Sequence, residues 1–139
     1  MKNSTIAWIV VALIVVVGLF WIFTGSETDV IKESTGYVDI TVDQAKILID
    51  ANPDLIIIDV SPNYADGHIP GAVNYYVGDG SLDEAIPTLD KNLAYLVYCH
   101  VDSAAISGAQ KLVDAGFVNV YRLEGNYAAW VNAGYEIEQ

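Results

Sequence analysis

The stretch Leu93-Ala-Tyr-Leu-Val-Tyr-Cys99-His-Val-Asp-Ser-Ala-Ala105, continued to Gly116, decides the fold. Residues 93–98 are apolar throughout and read as a buried strand. Residues 104–115 read as a helix, with Gly116 as its stop. Between them stands the only cysteine of the chain. A strand that runs through a short loop into a helix aims several backbone N–H groups at one point, which also feels the positive end of the helix dipole. A thiolate held there is stabilised, its pKa is lowered, and it becomes a nucleophile near neutral pH. The competing reading is a small buried hydrophobe at a strand end.

Upstream, residues 55–58 form a second uninterrupted apolar run that stops at Asp59. Such strands belong to sheets covered on both faces. Residues 37–40 alternate as a short strand. Thr41-Val-Asp-Gln44 then spells a capping box for a helix that runs to about Ala51 and ends at Asn52-Pro53. A loop over 61–72 carries His68. A strand over 72–76, a Gly-rich loop and a short helical segment over 82–86 lead back to the cysteine strand. Downstream come a strand over 118–123, the turn Glu124-Gly125-Asn126, and a short helix over 127–132. Strands alternating with helices predict an α/β domain with one five-stranded, mostly parallel sheet and helices on both faces. Ligands in such sheets sit outside the carboxyl ends of the strands, where Asp59, Cys99 and Glu124 all fall.

Residues 6–23 carry no charge and, as a helix, span roughly 27 Å, close to the hydrocarbon thickness of a bilayer. Trp8 and Trp21 lie near the two ends, Lys2 precedes the run, and Glu27 and Asp29 follow it. This predicts a single-pass transmembrane signal anchor in the cell membrane: residues 1–5 cytoplasmic, 24–36 a polar tether, and 37–139 a folded domain on the outer face. The alternative is a signal peptide cleaved near Thr24-Gly25-Ser26, which releases a secreted domain. The net charge of −12, from 18 acidic and six basic residues, disfavours nucleic acid and anionic membrane surfaces as partners.

Three stretches, in order and correctly spaced, resemble the rhodanese-like (sulfurtransferase) domain family over residues 36–137. The first is Ile56-Ile-Ile-Asp59-Val60 with Gly67-His68-Ile69-Pro70-Gly71-Ala72-Val73-Asn74. The second is Val97-Tyr98-Cys99 with Gly116-Phe117. The third is Val120-Tyr-Arg-Leu-Glu124-Gly125 with Trp130 and Gly134-Tyr135. The resemblance implies the same α/β fold and a Cys99 that carries sulfane sulfur as a persulfide, with no cofactor. It makes His100, Val101, Asp102, Ser103 and Ala104 the active-site loop. Asp59, His68 and Glu124 become supporting residues, His68 chiefly by tying its loop together.

The loop departs from the family pattern. Asp102 stands where Gly is common, Ala104 where Arg is common, Ala105 where Ser is common, and Asn126 where a second Gly is usual. A guanidinium at 104 would hold thiosulfate bidentately, and alanine cannot. Asp102 is expected to add a negative charge within the loop, raising the Cys99 pKa and repelling anionic donors. His100 is either an imidazolium partner for the cysteine or an idle exposed side chain. Phosphatase relatives of the fold need an arginine where Ala105 stands, so phosphoester hydrolysis is rejected. A metal site built from Cys99, His100, His68 and Asp59 has no supporting ligand spacing, and none is expected. A group of tyrosines (Tyr75, Tyr76, Tyr121, Tyr127 and Tyr135 among them) divides between core and a docking surface.

Two functions follow. One is a membrane-anchored carrier that takes sulfur from a small sulfur-containing donor or a protein persulfide and transfers it to a thiol. The other is a catalytically weak or inactive binding module, serving as an accessory subunit or redox/persulfide sensor at a membrane complex.

Overall fold

A computed structural model describes residues 36–139. The expected membrane span at 6–23, the cytoplasmic residues 1–5 and all but the last residue of the tether lie outside the described residues. Among the described residues, no helix is long and apolar enough to cross a membrane.

Five strands make one sheet: β1 (Val38–Ile40), β2 (Ile56–Asp59), β3 (Val73–Asn74), β4 (Ala94–Tyr98) and β5 (Asn119–Leu123). Their order is β1-β5-β4-β2-β3, and every ladder between them is parallel. Four helices cover it: α1 (Val42–Ala51), α2 (Ser81–Ala85), α3 (Asp102–Asp114) and α4 (Asn126–Asn132). The chain steps outward from β2 to β3, then returns past β2 to β4. The strand order therefore reverses between β2 and β4, the place where open parallel sheets leave a crevice.

The period of two along each strand sorts the core into two clusters. Ile58, Tyr95, Val97, Cys99 and Val120 pack with Leu82 of α2 and with Ala105, Ala109 and Leu112 of α3. Ile40, Ile57, Leu96, Tyr98 and Leu123 pack on the other face with Ala45 of α1 and Trp130 of α4. This double cover explains why 56–58 and 95–98 are apolar without alternation.

The local signals act as the chemistry predicts. The Thr41 hydroxyl accepts the Gln44 N–H at 3.3 Å, and the Gln44 side chain accepts the Thr41 N–H at 2.9 Å. α3 ends in a Schellman motif: Gly116 N–H bonds Val113 C=O at 2.9 Å and Phe117 N–H bonds Leu112 C=O at 3.1 Å. Gly116 sits at φ 90°, which a glycine adopts without strain. Lys91 Nζ donates to the Ala115 carbonyl at 2.6 Å, placing a cation at the negative end of the helix.

Three boundaries differ from the expectation. α3 begins at Asp102 rather than 104, so three of the five loop residues belong to the helix's first turn. The strand expected over 72–76 is only Val73–Asn74, because Tyr75 and Val77 bond to Asp59 and Val60 carbonyls through irregular backbone. The short helical segment expected over 82–86 starts at Ser81 and runs on through a 3₁₀ turn, Ile86–Thr88, that contains Pro87.

Candidate functional site

Cys99 follows the last residue of β4, against the end of β2, at the reversal of strand order. It is 1% exposed and belongs to the core cluster under α3. Its backbone is held from outside its own loop. The Cys99 N–H donates to Asn126 Oδ1 at 3.2 Å, and its carbonyl accepts the Tyr127 N–H at 3.0 Å. Both partners lie in the first turn of α4.

The thiol sits where the sequence places a nucleophile, but its resting acidity differs from the expectation. Burial pushes the thiol pKa up. The backbone N–H groups of Val101 and His100 pull it down, and the charge of Asp59 raises it further. The pull of these two amides does not outweigh desolvation. Val101 is the N-cap of α3 and offers no side-chain oxygen, so no side chain caps the first-turn amides of that helix.

Asp102 overturns a specific expectation. It does not hang in the loop beside the thiol. As the first residue of α3, it turns its carboxylate to the Arg122 guanidinium and accepts the Asn126 amide at 3.0 Å. The charge that acts on Cys99 is that of Asp59. Arg122 is the only arginine of the chain and is buried on β5. It also binds Asp39, its cross-strand neighbour on β1, at 2.7 Å.

Asp59 ends β2 and is fully buried. Its Oδ1 accepts the Ser61 N–H at 2.8 Å, while its Oδ2 has no hydrogen-bond partner. His100 Nε2, equally without a hydrogen bond, lies 3.8 Å from that Oδ2. The imidazole stacks on the Tyr127 ring with centroids 4.4 Å apart. His100 is therefore not an idle exposed side chain: it is wedged between a buried carboxylate and an aromatic face.

His68 does not join this group. Its ring stacks on Tyr64 at 3.7 Å, Nδ1 meets the Tyr64 carbonyl at 3.0 Å, and Nε2 lies 3.5 Å from Glu138. Reciprocal backbone bonds between His68 and Glu138 close the loop onto the C-terminus. Glu124 is exposed past the end of β5, its N–H bonded to the Ile40 carbonyl. Ser103 is exposed and Ala104 half-buried on the first turn of α3. Tyr75, Tyr76, Tyr121, Tyr127 and Tyr135 are all partly buried. Among the described residues, no three His, Cys, Asp or Glu side chains gather where they could hold a metal.

No cation of the described residues is left for an anionic donor. Lys46 pairs with Asp50, Lys111 with Asp83, Lys91 with the α3 terminus, and Arg122 with its two carboxylates. Anion stabilisation at Sγ rests on backbone amides.

Three residues at the site had no role in the sequence reading: Asn126, Arg122 and Tyr127. Asn126 left a trace, being a hydrogen-bonding side chain at a position where the family pattern has glycine. Its φ of 57° is the only left-handed non-glycine backbone among the described residues. Asn tolerates that region because its short amide can bond locally.

The sequence profile described as Rhodanese-like domain matches residues 41–133. Thiosulfate sulfurtransferase GlpE of Pseudomonas fluorescens is 32% identical over 77 residues, which cover 54% of this chain and 69% of that protein. Thiosulfate sulfurtransferase GlpE of Coxiella burnetii is 35% identical over 79 residues, covering 55% of this chain and 72% of that one. Among solved structures, the rhodanese-like domain of the Alr3790 protein from Anabaena aligns with a TM-score of 0.65 at 31% identity, over 72% of this chain and 77% of that one.

Proposed function

The chain belongs to the rhodanese-like domain family, and from that premise we propose that Cys99 carries sulfane sulfur as a persulfide and passes it to a thiol acceptor. The observation that carries this reading is the place of Cys99, directly after β4 where the strand order reverses and separated by two residues from the first turn of α3. The Cys99 thiolate attacks the outer sulfur of a donor persulfide. One S–S bond forms at Sγ as the donor's S–S bond breaks, and the electron pair leaves on the donor thiolate, which takes up the proton. An acceptor thiolate then attacks the outer sulfur of the Cys99 persulfide and returns the cysteine. The first-turn amides of α3 lie next in line to hold the added sulfur.

The substrate is a neutral or protein-borne persulfide rather than thiosulfate. A dianion approaching Cys99 meets a buried carboxylate at Asp59 and, among the described residues, no unpaired lysine or arginine. We place the domain at the cell membrane through residues 6–23, on its outer face, and this rests on the sequence of that stretch alone. A second reading, a binding module or persulfide sensor beside a membrane complex, is favoured by the burial of Cys99 and its raised pKa.

Intact mass of the protein after treatment with a persulfide donor, beside Cys99→Ser, tests the proposal. A gain of one sulfur atom, reversed by cyanide or a thiol and absent from the mutant, is the expected result. No gain with any donor, together with a Cys99 that resists alkylation in the folded state, rejects the carrier and leaves the binding module. Proteins recovered with the chain in mild detergent then become the object of study.

A further inference from the structure

Asn126 is buried, adopts a left-handed backbone, and makes two side-chain hydrogen bonds in opposite senses. Its Oδ1 accepts the Cys99 N–H at 3.2 Å, and its Nδ2 donates to Asp102 Oδ1 at 3.0 Å. The same carboxylate oxygen binds Arg122 Nη1, and Arg122 Nε binds Asp39 at 2.7 Å. A continuous polar chain therefore runs from the edge strand β1, through β5 and the first residue of α3, to the backbone of the cysteine.

The geometry points to Asn126 and Asp102 as positioning residues for Cys99: together they fix the Cys99 backbone where β4 passes into the first turn of α3. The inference rests on the reading of Cys99 as the sulfur carrier, and it adds how a loop without an internal cation is kept in shape. Each donor in the relay has a charged or fully occupied acceptor, so the orientation of the Asn126 amide is determined. Nδ2 must face the carboxylate, which leaves Oδ1 for Cys99. The Tyr127 N–H fixes the Cys99 carbonyl from the same turn. Asn126 thus holds the peptide plane before Cys99 by its N–H and Tyr127 the plane after it by its C=O, so the backbone on both sides of the thiol is fixed.

Asp102 has two possible effects on the thiol, and they have opposite signs. As a bare charge it would hold the thiol pKa up, so removing the charge would speed the reaction. As the acceptor that orients Asn126, it assists the thiol, so truncating it slows the reaction while an isosteric neutral acceptor preserves it.

The experiment compares wild type with Asn126→Gly, Asp102→Ala and Asp102→Asn. It reads the iodoacetamide rate of Cys99 against pH, the rate of sulfur loading from a persulfide donor, and the thermal midpoint. Glycine accepts the left-handed backbone, so Asn126→Gly is expected to fold. Its thiol pKa rises by about half to one unit, and alkylation at pH 7 slows roughly three- to tenfold. Asp102→Ala slows alkylation in the same direction. Asp102→Asn, whose Oδ1 still accepts from Arg122 and Asn126, keeps the wild-type profile. If Asn126→Gly fails to fold, the two Asp102 variants decide the matter. Profiles for Asn126→Gly and Asp102→Ala that match wild type, or an Asp102→Ala that reacts faster, overturn the inference. The alkylation profile does not depend on sulfur transfer. A wild type that takes up no sulfur therefore defeats the carrier reading, while the profiles still decide the positioning role.

Discussion

His100 Nε2 and Asp59 Oδ2 face each other at 3.8 Å, and neither has a hydrogen-bond partner. The gap is too long for a hydrogen bond and too short for an intervening water. Asp59 thus keeps a bare oxygen close enough for its charge to raise the Cys99 pKa. Asp59→Asn retains an acceptor for the Ser61 N–H and removes that charge. The expected outcome is a thiol pKa lower by about half to one unit and a several-fold faster alkylation at pH 8. An unchanged profile would show that the Asp59 charge does not act on the thiol.

Tyr127 is fixed by a glycine distant in sequence. A Cβ at Gly67 would overlap the Tyr127 hydroxyl and lie 3.1 Å from its Cζ. Gly67→Ala is expected to displace the ring that supports His100 and to cost about 1–3 kcal/mol in urea unfolding. Tyr127→Phe removes the overlapping atom but not the strain of a side chain at the Gly67 φ of 151°, so the double variant should recover only part of that loss. Additive effects of the two changes would contradict the contact.

Alkaline stability follows from groups whose protons the fold retains. Burial, with the Asp59 charge, pushes the Tyr98 pKa well up, and burial pushes Cys99 up. The unfolded chain releases these protons first, from about pH 8.5 for the thiol and about pH 10 for the phenol. Stability is therefore complete below those values and falls as pH rises through them, by about 1.4 kcal/mol per pH unit for each group. Tyr95, Tyr127 and Tyr135 are raised as well, so Tyr98→Phe removes one of several contributions, and the slope between pH 10 and 11 should flatten by that share. At pH 7 the same variant leaves the Ile69 N–H without its acceptor at 3.0 Å and costs about 1–3 kcal/mol. Urea titrations at both ends of the range check the two signs together.

The absence of a clamp for anionic donors has a direct test. Ala104 is half-buried on the first turn of α3, and Ala104→Arg supplies a cation beside the amide cluster. Thiosulfate use should then appear or rise by tenfold or more, with the effect mostly in KM. Equal thiosulfate turnover in wild type and variant would mean that the missing cation is not what limits the native loop.

The parallel sheet was legible because its strands are buried on both faces, so 55–58 and 93–98 show as unbroken apolar runs. α1 was legible because Thr41 and Gln44 cap it by side chains alone. The start of α3 was not. Val101 offers no capping oxygen, and Asp102, an ordinary turn residue, is held in the helix by Arg122 on a strand 20 positions away in sequence. The sign of the shift at Cys99 was missed for a related reason. Loop amides and a helix terminus can be read from local order, whereas desolvation and the Asp59 charge come from strands that only the sheet brings together. Asn126 was noticed as a departure from glycine, but its role depends on partners at 99 and 102.

The strand order carries a consequence for biosynthesis. β1 finds its partner only in β5, and the Asp39–Arg122 bond spans 83 positions of chain. A ribosome that has released the chain through β4 has already exposed the cysteine, but it has not yet made Asn126 or Tyr127. The nascent thiol is thus free of its holding groups until α4 has been made and has folded back against β4.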